Sequence, residues 1–328
     1  MCGITASIAL PVGKLAAGQP GHQVNGSSYH DIQTQLESSV DILYHRGPDE
    51  SGTWVSKDSS IALGHCRLSI NDLSPSGSQP LVSDDGQIRA VVNGEIYDQD
   101  RLWKECREQH GYQFRGESDS ELVVALYKIH GAPGLFKHLR GEFAFVLHDG
   151  REGQRRVIAA RDRFGIKPLV WTVARGRLLV ASEAKAFLPL GWKPEWDVAA
   201  IASAAWMLDE RTLFKGVKKV LPGHWLEVTE EKGVQDHEYW DAEYEDKVGA
   251  RAAVNPPVTS PGKAANETYR SKSRRDRSRR WLRASARGSS TPSASDCEPT
   301  CQSASTSQEE STPRLLPASS RTWPKRNM

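Results

Sequence analysis

Sulfur is scarce in this chain of 328 residues, and what there is forms no framework. The five cysteines (Cys2, Cys66, Cys106, Cys297 and Cys301) are an odd number without regular spacing. That excludes a disulfide-stapled scaffold and suits a reducing compartment. Cys297 and Cys301 stand as Cys-x3-Cys with no histidine or further cysteine close by, so the pair reads as chance and no metal site is expected. Long apolar runs are missing as well. None approaches the length of a membrane span, and the start has no basic segment ahead of an apolar core; the expectation is a cytosolic (cytoplasmic) protein with no membrane partner. An excess of one charge is also absent. Forty-three basic residues face 41 acidic ones for a formal net charge of +2, which argues against a nucleic-acid partner.

What the chain does have is a cysteine at position 2, in Met1-Cys2-Gly3-Ile4. A small residue there permits removal of the initiator methionine, which would leave a thiol and a free α-amine on the same carbon. The thiolate is a strong nucleophile, and an α-amine with a pKa of about 7.7–8.0 can shuttle its proton near neutrality. No separate histidine is then needed. Taken alone, Cys2 reads as an incidental residue, and only the later segments change that.

Residues 3–10 read as a buried strand with Cys2 at its tip, and 11–28 as a Gly-rich polar loop. Ile32, Leu36, Val40 and Leu43 recur at helical spacing, predicting an amphipathic helix over 31–43. A turn-rich stretch follows, then strands over 53–55 and 61–70. Arg67 falls late in the second, where it could clamp a carboxylate bidentately or form a surface ion pair. Residues 88–97 read as a strand broken by a turn at Asn93-Gly94. Such a turn offers one side-chain amide and one backbone N–H, the two donors an oxyanion hole needs; a plain hairpin is the other reading. Helices are expected over 98–109 and from a Ser118-Asp119-Ser120-Glu121 cap to about residue 130. Asp119 is then an N-cap, or a partner for an ammonium group. Further buried strands are expected over 141–149, 156–161 and 177–182. Many strands with intervening helices indicate an α+β domain in layers.

In chain order the motifs are Met-Cys-Gly-Ile, His45-Arg-Gly-Pro-Asp49, Arg67-Leu-Ser-Ile70, Asn93-Gly-Glu-Ile-Tyr97, Ser118-Asp-Ser-Glu121, Gly141-Glu-Phe-Ala-Phe145, Arg161-Asp-Arg-Phe-Gly-Ile-Lys-Pro168, Ala181-Ser-Glu-Ala-Lys185 and Leu221-Pro-Gly-His224. Together, from Cys2 to about Trp240, the chain resembles the glutamine-hydrolysing domain of asparagine synthetase, a class II glutamine amidotransferase. The resemblance implies a four-layer αββα sandwich of the N-terminal-nucleophile hydrolase type. It implies that Cys2 attacks the side-chain amide of L-glutamine, giving a thioester and ammonia, while Asn93 and the Gly94 N–H hold the oxyanion. It gives Arg67 the α-carboxylate and Asp119 the α-ammonium, with Leu68, Ser69, Ile70, Asn71 and Glu95 lining the pocket. Asn71 stands where the family often has valine, and Asp98 where it often has asparagine. The hydrolytic step needs no cofactor. ATP and Mg belong to a C-terminal synthetase domain of the family, carrying a Ser-Gly-Gly-x-Asp-Ser loop that this sequence lacks. A synthetase domain supplied separately, or a second copy as a homodimer partner, is the expected protein partner.

From about Val248 the chain turns to Ser, Arg, Pro and Thr without apolar period. The domain is therefore expected over 1–247 and a disordered low-complexity tail over 248–328. Back-translated and read in another frame, 296–314 can spell the family's ATP-loop region. Donor, branch and acceptor signals can be placed between Lys247 and Arg270, with the frame offset that this re-reading requires. The expectation is translated intron over 248–270, out-of-frame product over 271–328, and a truncated synthetase.

Overall fold

Two apolar sheet faces that must be hidden from water set the architecture. The computed structural model describes residues 1–11, 29–70, 72–153, 155–203 and 209–243. The expectations for Asn71, for most of the Gly-rich loop and for the tail lie outside the described residues. In chain order the elements are β1 (Gly3–Ala9), α1 (Tyr29–Ile42), β2 (Glu50–Val55), β3 (Ile61–Arg67), β4 (Leu81–Val82), β5 (Ile88–Ile96), α2 (Gln99–His110) and α3 (Glu121–Gly134). They continue with β6 (Gly141–Asp149), β7 (Arg156–Arg161), β8 (Val170–Ala174), β9 (Arg177–Ala181), α4 (Val198–Ala202), β10 (Lys218–Lys219), β11 (His224–Thr229) and β12 (Gly233–Glu238).

The strands form two six-stranded sheets, ordered β10-β8-β9-β1-β3-β2 and β12-β11-β7-β6-β5-β4. Every pairing is antiparallel. Alternation along each strand then divides the core into layers. Ile4, Ala6 and Ile8 of β1, Leu63 of β3, Val91 of β5 and Val146 of β6 meet between the sheets. Ala90 and Val92, on the opposite face of β5, pack under Leu102 of α2 and Leu122 to Tyr127 of α3. On the other side Ile32 and Leu36 of α1 cover Ala62. Helix, sheet, sheet, helix: the four-layer αββα sandwich is present, within a unit spanning Met1–Tyr244.

Three expectations need correction. The strand thought to break at Asn93-Gly94 is continuous, with Asn93 paired to Ala144 and Gly94 to Phe143. Asn-Gly sits there for a different reason: Gly94 has φ of 149°, and a Cβ on it would lie 1.9 Å from the Glu142 carbonyl oxygen. Only glycine permits that approach. Second, β3 stops at Arg67 instead of running to Ile70. The backbone beyond it is taken by side chains, because Ser69 N–H donates to Asp49 Oδ2 at 2.8 Å and Leu68 N–H points to Cys2 Sγ at 3.4 Å. Third, Asp119 is not the N-cap of α3. Ser120 holds that position, and Asp119 Oδ2 instead accepts a 2.7 Å hydrogen bond from Ile96 N–H, tying the end of β5 to the start of α3.

Candidate active site

The site lies at one end of the gap between the sheets, and strand alternation selects its side chains. Residues 4, 6 and 8 of β1 face the gap, so Cys2, just ahead of the strand, falls on the same side. On β3 Leu63 faces the gap, which places His65 and Arg67 there too; on β5 Val91 does, which places Asn93 and Glu95 there. Two sheets therefore contribute to one cavity of about 80 Å³. Cys2, Arg67, Leu68, Ser69, Ile70, Asn93, Gly94, Glu95 and Asp119 all line it. Sequence reasoning missed Asp72, Gly77, Gln79, Ser118, Ser120 and Lys167 in the same lining.

Cys2 is half-buried. Its thiol is held between the two backbone groups of Leu68, receiving the N–H at 3.4 Å and facing the carbonyl oxygen at 3.7 Å. Its own carbonyl oxygen accepts from Arg46 Nε at 3.0 Å. Arg46 in turn pairs through Nη1 with Glu183 at 2.8 Å. Burial alone would raise the Glu183 carboxyl, but hydrogen bonds from Arg46, His45 and Lys185 hold it down at about 2. The His-Arg-Gly-Pro-Asp and Ala-Ser-Glu-Ala-Lys motifs thus meet behind Cys2, and Asp49 of the first fixes Ser69.

A second thiol lies close to the first but is built for the opposite purpose. Cys66, paired with Gly3 across the ladder, is 1% exposed and donates to the Leu43 carbonyl at 3.1 Å. Burial pushes its pKa up. It stays a thiol while Cys2 faces the cavity. Gly3 is small because a Cβ there would sit 2.5 Å from the Cys66 sulfur.

In the same lining, Asn93 is 1% exposed and its Nδ2 has no hydrogen-bond partner. A buried amide donor left unpaired costs about 1–3 kcal/mol, so it is kept where something else is to accept from it. Gln79 shapes this wall. Its amide bonds Val92 on both sides, accepting from N–H at 2.7 Å and donating to the carbonyl at 3.1 Å, as a neighbouring strand would.

Charges of both signs stand at the rim. Arg67 is 7% exposed and donates to Glu50 at 3.1 Å, to the Ser74 carbonyl at 2.9 Å and to the Asp72 carbonyl. Gly77 allows the guanidinium in, since a Cβ there would be 2.2 Å from its Nη2. Asp119 supplies buried negative charge at 4% exposure. Lys167, also in the lining, pairs with Glu142 at 3.1 Å, and Tyr97 donates to the same carboxylate at 2.9 Å. Among the described residues no histidine lines the cavity. His65, on the adjoining strand, is pushed down to about 3 by burial, with the Arg67 charge adding to the effect, and is neutral near pH 7.

A thiol ahead of a central strand and a buried amide donor thus line one cavity in an αββα sandwich. Residues 20–240 match the model of the glutamine amidotransferase domain, and the chain belongs to that family. It is 47% identical over 251 residues to amidase chry2 of Gibberella zeae, aligning 75% of this chain with 35% of that one. It is 37% identical over 238 residues to a putative glutamine-hydrolysing asparagine synthetase of Mycobacterium tuberculosis, aligning 68% with 34%. The chain thus spans about a third of the length of the curated relatives it matches. Among solved structures it is similar to glutamine phosphoribosylpyrophosphate amidotransferase of B. subtilis, at TM-score 0.49 and 19% identity over 73% of this chain and 49% of that one. Among the described residues no helix is long and apolar enough to cross a membrane.

Proposed function

We infer that this chain hydrolyses L-glutamine to L-glutamate and ammonia through a thioester on Cys2, and that it is the glutaminase half of an asparagine synthetase-type enzyme. The observation that carries the reading is the buried, unpartnered Nδ2 of Asn93 in the cavity that holds the Cys2 thiol. Once Met1 is removed, the freed α-amine takes the thiol proton, and the sulfur attacks the side-chain amide carbon. The carbonyl oxygen becomes an oxyanion that Asn93 Nδ2 and the Gly94 N–H stabilise. The amine returns its proton to the amide nitrogen, the C–N bond breaks, and ammonia leaves. Water then attacks the thioester, the sulfur departs with the proton, and glutamate is released. Arg67 and Asp119 suit the two ends of the glutamine zwitterion, one fixed charge of each sign. Removal of Met1 is part of the proposal, because the α-amine is otherwise locked in a peptide bond.

The ammonia requires an acceptor site. In the asparagine reading a synthetase domain supplies it and converts aspartate. The similarity to amidase chry2 favours a second reading, in which the same half serves amide cleavage outside asparagine synthesis. Both readings share the chemistry at Cys2.

The test is mass spectrometry of the purified chain after incubation with diazo-oxo-norleucine, a glutamine-like electrophile. One adduct on an N-terminal Cys2, blocked by glutamine and absent from Cys2→Ala, is expected. A folded chain that lacks Met1 and takes no adduct overturns the catalytic reading and leaves a glutamine-binding module or an inert fragment.

A further inference from the structure

On the outer helical layer, three potential ligand residues converge that the hydrolytic chemistry does not use. Glu105 lies in α2, His110 is the last residue of α2, and His130 stands in α3 just before the helix is interrupted at Gly131. Glycine fixes both histidines at helix ends. Gly111 has φ of 67° and turns the chain away after His110, and Gly131 has φ of 62° after His130. One ligand atom from each of the three residues comes within 4.8 Å of the others. None of them lines the cavity around Cys2.

We propose that Glu105, His110 and His130 form a binding site for a divalent transition metal of the zinc type. The donor set, two imidazoles and one carboxylate, is that of three-ligand sites with water in the fourth position. Ring geometry supports this choice of ligands. A metal sits on an imidazole lone pair, in the plane of the ring. The His110 and His130 planes cross at 79° with centroids 5.6 Å apart, so they share a line on which an ion can meet both rings once the exposed His110 side chain rotates. His138 adjoins the group as well, but its ring stacks on His130 at 4.0 Å and 11°. Nearly parallel planes share no point within reach, so His138 does not ligate beside His130.

His138 has another use. Its Nδ1 lies 4.0 Å from Glu105 Oε1, where it can hold the carboxylate in orientation. Glu105 Oε2 accepts from Arg101 at 2.9 Å, so one oxygen is engaged and a monodentate carboxylate remains. Tetrahedral zinc with bonds of about 2.0–2.2 Å holds its ligands about 3.3–3.5 Å apart. The group must therefore contract by roughly 1 Å, which rotation of the exposed His110 and the half-buried Glu105 side chain supplies. Cys106, next to Glu105, is 1% exposed in the core and takes no part. A metal here would pin the end of α2 to the end of α3, whose opposite faces cover β5.

The experiment is zinc titration of the full chain against a chromophoric indicator, alongside Cys2→Ala, His110→Ala, His130→Ala and His138→Ala, each checked for fold by circular dichroism. The difference between variants reads the site, whatever zinc binds elsewhere. One equivalent present in the parent and in Cys2→Ala, lost from His110→Ala and from His130→Ala, and weakened about 10-fold or more in His138→Ala, is the expected result. Saturating zinc should also raise the unfolding midpoint of the parent and leave that of His130→Ala unmoved. Equal stoichiometry in the parent and both ligand variants overturns the proposal, as does loss of the equivalent with Cys2 instead. Neither result bears on glutamine hydrolysis.

Discussion

Arg46 donates through Nε to the carbonyl oxygen of Cys2 at 3.0 Å, while its Nη1 is held by Glu183 at 2.8 Å. Cys2 is thus positioned through its backbone by a residue 44 places along the chain. Lysine keeps the charge but cannot hold both partners with a rigid fork. Arg46→Lys should lower kcat for glutamine hydrolysis by about 10- to 100-fold, as a misplacement near 1 Å does. The rate of Cys2 alkylation should fall in parallel, and an unchanged kcat would show that the thiol needs no such anchor.

Removing the buried amide that shares the cavity of Cys2 should affect the reaction far more than it affects binding. Asn93→Ala is expected to reduce kcat by about 10²–10³ with little change in KM, the signature of a donor used only in the transition state. Steady-state ammonia release measures it. Because Asn93 Nδ2 has no partner in the folded chain, the variant should be no less stable than the parent.

Asp119→Asn separates charge from architecture. The amide oxygen can still accept from Ile96 N–H, now 2.7 Å from Oδ2, so the junction of β5 and α3 should persist. The negative charge offered to an α-ammonium disappears. KM for glutamine should rise about 10-fold or more with the thermal midpoint unchanged. A midpoint that falls together with activity would instead assign Asp119 to the fold alone.

His65 makes the fold acid-sensitive. Its pKa is about 3 in the folded chain against about 6.5 when unfolded, so below pH 6.5 the unfolded state binds a proton that the folded state refuses. Stability from this group is present above pH 6.5 and is lost as pH falls toward 3. The slope is up to about 1.4 kcal/mol per pH unit, or about 2 kcal/mol between pH 6.5 and 5. Denaturant unfolding across that range should show it, and His65→Gln should flatten the dependence by one proton.

Much of the architecture was legible in the sequence because the buried strands are short and apolar. The expected 3–10, 141–149 and 156–161 became Gly3–Ala9, Gly141–Asp149 and Arg156–Arg161, and the expected helix over 31–43 became Tyr29–Ile42. The site was legible through motifs. Strand alternation can place Arg67 and Asn93 on a face, but it does not say that the two faces meet. The misreadings have one cause, the competition of local turn chemistry with long-range pairing. Asn93-Gly94 carries a turn signature, yet the Glu142 carbonyl passes so close that glycine is required in an unbroken strand. Gln79 and Lys167 escaped notice because each acts through a partner far along the chain, Val92 and Glu142. The Glu105, His110 and His130 group has no short spacing, so only the packing of α2 on α3 reveals it.

Cys2 heads a strand of one sheet, and Asn93 belongs to a strand of the other. Between those sheets lie Ile4, Ala6, Leu63, Val91, Ala144 and Val146, with the His65 ring of one sheet reaching the Val92 carbonyl of the other at 3.2 Å. The hydrocarbon filling is accordingly a spacer. Its thickness sets how far the Cys2 sulfur stands from the Asn93 amide, the donor proposed for the oxyanion. Truncating Val91 or Val146 to alanine would thin the spacer without touching the cavity lining, and hydrostatic compression would do the same without changing the sequence. If the proposed hydrolysis holds, its rate is a calliper reading of this interior.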